Sequence, residues 1–69
     1  MFVITDCTVS PARKTISHDV KDVRDIIVGI TGNEEIADKA CKDVGAMHWG
    51  DVLIANPYYI IDCVNESNL

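Results

Sequence analysis

Apolar and polar positions along this chain change their spacing three times. Phe2, Val3, Ile4, Thr5, Asp6, Cys7, Thr8 and Val9 read as a first strand, ended by Ser10, Pro11 and Ala12, where Pro11 suits the second position of a turn. Lys14, Thr15, Ile16 and Ser17 then run back as a short hairpin partner. From Asp19 the period becomes helical: Val20, Val23, Ile26, Ile27 and Ile30 form one stripe, and Lys21, Asp22, Arg24 and Asp25 fall outside it. Ser17 or Asp19 can cap this helix, and Thr31-Gly32 stops it. Asn33 caps a second helix, with Glu34 and Glu35 complementing its dipole, Ile36, Ala37, Ala40, Cys41 and Val44 inward, and Glu35, Asp38, Lys39 and Lys42 outward.

Gly45 weakens or ends that helix, residues 46–50 are expected to add one more turn, and residues 51–55 form a strand. Asn56-Pro57 signals a turn, after which residues 58–64 complete a β-hairpin. Along the last strand Tyr58, Ile60, Asp62 and Val64 face one side, and Tyr59, Ile61 and Cys63 the other. Both faces are largely apolar, which calls for helices on one and a hairpin or second subunit over part of the other. Residues 65–69 are expected to form a frayed tail.

The predicted order is therefore β(β)ααββ: an α+β fold with a small antiparallel sheet of three or four strands and two helices packed on one face. Seventeen Val and Ile against two Leu agree with a sheet in the core. Sixty-nine residues leave room for one domain only. With 48% hydrophobic and 25% charged residues the composition is globular. The apolar runs are too short to span a bilayer, and residues 1–6 lack the basic start of a signal peptide, so a soluble cytoplasmic protein is expected.

Charge narrows the partners. Eleven acidic and six basic residues give −5, the wrong sign for holding phosphate backbones, so direct nucleic-acid binding is not expected. Residues 1–32 balance to zero, and residues 33–69 carry the whole surplus. Such a field serves solubility or steers the protein toward a basic surface. Catalytic chemistry has little to stand on: His18 and His48 read as surface or capping residues, Glu34, Glu35 and Asp38 fit no calcium loop, and the glycines form no nucleotide-binding motif. No enzyme activity, metal or cofactor is expected. Cys7, Cys41 and Cys63 show no zinc or disulfide spacing and read as reduced thiols packed like small apolar residues.

Residues 30–40, which include Thr31-Gly32-Asn33-Glu34-Glu35-Ile36-Ala37, together with Gly50-Asp51-Val52-Leu53 and Tyr59-Ile60-Ile61-Asp62, resemble very small proteins encoded by bacterial phages and mobile elements. The resemblance covers roughly residues 20–64 and departs from the group in residues 7–18 and at Gly45. It implies a phage accessory factor in the host bacterial cytoplasm. Many such factors, anti-CRISPR proteins among them, inhibit a host defence complex by binding it.

The expected partner-binding residues are Glu34, Glu35, Asp38, Asp43, Met47, His48, Trp49 and Asp51: carboxylates on the second helix and an aromatic centre in the loop after it. Trp49 either covers one end of the core or stands exposed as an anchor beside Met47 and Tyr58 or Tyr59. Two functions follow. In one, the acidic surface enters the nucleic-acid channel of a basic bacterial protein, such as a CRISPR effector or other defence nuclease, its carboxylates replacing phosphates. In the other, the chain is a structural or regulatory homodimer paired through its C-terminal hairpin. A peptide or protein bound at the sheet edge is a third, weaker possibility.

Overall fold

A computed structural model describes residues 1–65. The elements are β1 (Phe2–Asp6), β2 (Arg13–Ser17), α1 (Val20–Thr31), α2 (Glu34–Gly45), β3 (Val52–Ala55) and β4 (Tyr59–Cys63). The four strands form one antiparallel sheet in the order β2-β1-β4-β3, with both helices on one side, as the spacing of apolar residues predicts. Two local hairpins, β1–β2 and β3–β4, are thus joined at the centre by strands from opposite ends of the chain. Of the expected tail, only Asn65 falls within the described residues.

Register decides which side chains meet the helices. Ile4 lies opposite Thr15 on one side and Ile61 on the other, and Leu53 lies opposite Ile61. Alternation then puts Phe2, Ile4, Tyr59, Ile61, Cys63, Leu53 and Ala55 on the covered face. Val23 and Ile27 of α1 and Ala37, Ala40 and Val44 of α2 close over Ile4, Tyr59 and Ile61 to make the core. Burying each Val or Ile contributes about 1.5–3 kcal/mol. Alanine at positions 37 and 40 leaves no bulk to hold α2 away from its neighbours.

The helix ends follow the capping residues. Asp19 accepts from the Lys21 N–H at 2.9 Å, and Asn33 Oδ1 accepts from the N–H groups of Glu35 and Ile36 at 2.9 and 3.1 Å. Ser17 is buried and supports the first cap from behind: its hydroxyl donates to the Asp19 carbonyl at 2.9 Å and accepts from the Asp19 N–H at 3.3 Å. Gly32 ends α1 at φ 65°, a left-handed conformation in which its N–H reaches the Val28 carbonyl at 2.8 Å.

β2 begins at Arg13, β3 begins at Val52 and β4 ends at Cys63, each one residue from where it is expected, and three further differences have a local physical cause. The first strand stops at Asp6 and not Val9, because the Asp6 carboxylate turns the chain by accepting from Thr8 N–H at 2.8 Å and Thr8 Oγ1 at 2.5 Å. Those bonds, led by the hydroxyl, hold the Asp6 carboxyl below its ordinary pKa. Cys7 is consequently exposed in a turn and does not pack as a strand residue. Residues 46–50 add no helical turn to α2, which ends at Gly45. The last strand begins at Tyr59 and not Tyr58, because Tyr58 closes the β3–β4 turn by donating its N–H to the Ala55 carbonyl at 2.6 Å.

Candidate functional site

Where one more helical turn is expected, the chain makes a tight β-turn. The Asp51 N–H donates to the His48 carbonyl at 2.9 Å, and the Asp51 carboxylate accepts the His48 N–H at 2.8 Å, so the two ends of the turn bond each other reciprocally. Gly50, the third residue, has φ 95°, the left-handed value that a type II turn requires there. Gly50 N–H also donates to the Cys63 carbonyl at 2.7 Å, while Cys63 N–H donates to Asp51 at 3.0 Å. Two residues facing one across the ladder, the first a left-handed glycine, make a G1 bulge at the start of β3. The turn is thereby stitched to the end of β4.

Trp49 occupies the second position of this turn and is 70% exposed. Of the two places open to it in the sequence, it takes the exposed one, and the core is closed without it. Beside it an open concavity of about 480 Å³ is lined by Met1, Phe2, Met47, His48 and Cys63. An indole held on a fixed turn beside an apolar hollow loses little conformational freedom on being covered, which is what an interface centre needs.

The eight expected binding residues do not form one surface. Met47, His48, Trp49 and Asp51 come together at the turn, where Asp51 is occupied in holding it. Glu34, Glu35 and Asp38 lie toward the other end of α2, a helix of twelve residues and about 18 Å. Asp43 sits on the flank of α2 that faces β3, in a groove with Ile36, Lys39, Ile54 and Tyr58. Tyr58 and Tyr59 do not join Trp49: Tyr58 is at the opposite end of β3, and Tyr59 is buried in the core, where burial raises the pKa of its phenol and Asp43 adds to the rise.

The acidic surface is also less concentrated than the net charge suggests. Arg24 of α1 reaches across to Asp38, Nε to Oδ1 at 2.7 Å, a pair that raises the arginine pKa further. Glu35 and Lys39, and Asp38 and Lys42, stand four residues apart on α2, the spacing at which opposite charges offset each other. The partner of Asp38 comes from another helix and could not be read from local spacing. The turn has a local signal in the sequence: Gly50 two residues before a strand, with an aspartate three residues after His48.

Among the described residues no cluster of His, Cys, Asp and Glu is placed to hold a metal ion, and no helix is long and apolar enough to cross a membrane. The cysteines are all free thiols. Cys41 donates to the Val20 carbonyl at 3.5 Å, and burial raises its pKa, while Cys63 is buried in β4. Alkylation of the native protein is expected to label exposed Cys7 first, half-buried Cys41 more slowly and buried Cys63 last, as read by peptide mass over time. Early labelling of Cys63 contradicts its placement in the core.

Compared with known proteins, this chain matches no family, no curated protein and no solved structure.

Proposed function

We propose that the protein works by binding another protein and performs no chemistry of its own, as an inhibitor that occupies a basic surface on its target. The observation that carries this reading is Trp49, a large aromatic side chain 70% exposed on a turn pinned by four hydrogen bonds. The backbone on either side of the indole is fixed by those bonds, and interface centres are enriched in tryptophan. The carboxylates of Glu34, Glu35 and Asp43 supply the second element, a field that speeds encounter with a positively charged partner. The resemblance to phage accessory proteins points to the class of target: a nuclease of a bacterial defence system, CRISPR effectors included, whose nucleic-acid channel is basic.

The two elements make separable contributions. Capture from bacterial lysate, identification by mass spectrometry and measurement of rates on the purified target form the test. Trp49→Ala is expected to raise the dissociation rate at every salt concentration, and Glu34→Gln with Glu35→Gln to slow association mainly at low salt. The target's cleavage of nucleic acid is expected to fall in proportion to occupancy. A captured protein that is acidic, or one whose binding is indifferent to Trp49, overturns the reading.

A further inference from the structure

Among the described residues, nothing covers the side of the sheet away from the helices. Val3, Ile16, Val52, Ile54 and Ile60 project from it, and Ile16, Val52 and Ile54 are each more than half exposed. With strands ~4.8 Å apart and ~3.4 Å per residue, the face measures roughly 300 Å², in the range of patches that mark interaction sites. Two charges interrupt it. Asp62 of β4 lies between Val3 and Val52 and is half-buried, and Lys14 of β2 lies opposite Thr5. Neither side chain has an ion-pair or hydrogen-bond partner among the described residues.

The two charges are of opposite sign and do not pair within one molecule. They are two strands apart across the sheet and two residues apart along it, which puts their Cα atoms roughly 12 Å from each other. A twofold axis lying in the plane of the face removes the difficulty, since it brings Lys14 of each copy to Asp62 of the other. The face is also electrically neutral while the whole chain carries −5. Two copies can approach by it without opposing like charges, and a basic partner is drawn elsewhere.

We propose that this open face is where two copies of the chain associate, sheet against sheet, with reciprocal Lys14–Asp62 pairs on either side of an apolar centre. The helices then point outward, leaving the acidic side of α2 free. The patch is smaller than the ~800 Å² per partner of a standard stable interface, so the dimer forms with rising concentration and is not obligate.

Sedimentation equilibrium from micromolar to millimolar protein tests this, with circular dichroism confirming that each variant is folded. The mass is expected to double across the range. Lys14→Asp or Asp62→Lys alone places like charges at both symmetric contacts and is expected to weaken association about tenfold, and the two together to restore it. Ile60→Asp is expected to leave a monomer, while Glu34→Gln and Trp49→Ala leave the dimer intact, which separates this proposal from the inhibitor reading. A chain that stays monomeric, a dimer insensitive to either charge reversal, or a double reversal that fails to restore association overturns it. So does protection of this face by the captured target alone.

Discussion

Ile61→Ala is expected to lower the free energy of unfolding by about 2–5 kcal/mol. Ile61 has no exposed surface, sits on β4 between Ile4 and Leu53, and closes the sheet side of the core beneath Val23, Ile27 and Val44. Removing three carbons there leaves a void that a two-layer core has few neighbours to fill. A domain of this length holds on the order of 3–10 kcal/mol in total, so the variant loses about a fifth of its stability or more. Urea unfolding followed by circular dichroism measures the loss. Ile54→Ala belongs to the same hairpin but the opposite face, at 65% exposure, and at dilute concentration its cost is expected to stay near 0.5 kcal/mol. Equal losses at the two positions contradict the assignment of the β4 faces.

The second large effect concerns the tryptophan turn. Gly50→Val is expected to cost about 1–3 kcal/mol, since a β-branched residue is forced to φ near 95°. Beyond Gly50 and its two chain neighbours no atom lies within 4 Å of where a β-carbon stands, so the cost is one of local backbone conformation and not of collision with the rest of the fold. If the chain relieves it by leaving the left-handed region, the bonds from Gly50 to Cys63 and between His48 and Asp51 open together. Amide exchange at His48, Gly50 and Asp51 is therefore expected to quicken more than the global loss requires. Affinity for a captured target is expected to fall even though Trp49 is untouched. Unchanged exchange at these amides contradicts the account of the turn.

Much of this fold was legible in the sequence because its punctuation is local. Asp19 and Asn33 each accept hydrogen bonds from amides two or three residues on, and Gly32 takes its left-handed conformation whatever lies elsewhere. Even β2, with Ile16 as its one large apolar residue, follows from the turn before it. The boundary errors have the same origin: the aspartate that ends β1 acts through the hydroxyl of Thr8, and strand propensity alone carries the reading on to Val9. At residues 46–50, a helical continuation from Ala46 and Met47 loses to a turn whose bonds run to Cys63, thirteen positions from Gly50. Exposure of Trp49 depends on those bonds and was not readable. The surplus of acid was plain from composition, but its spread around α2 depends on how that helix lies against α1 and β3, and Arg24 meets Asp38 only once the two helices are packed.

Strand order also governs when the protein can form during synthesis. The inner partner of β1, strand β4, is made more than fifty residues after it. Until then the β1–β2 hairpin has one open edge at its centre, and Ile4, Val23 and Ile27 have no Ile61 to close against. The helices can form on their own schedule, but the sheet waits for residues 59–63 to emerge from the tunnel. Nascent chains halted before that point are expected to expose the apolar inner face, so the sheet closes in one step once β4 is made and not segment by segment.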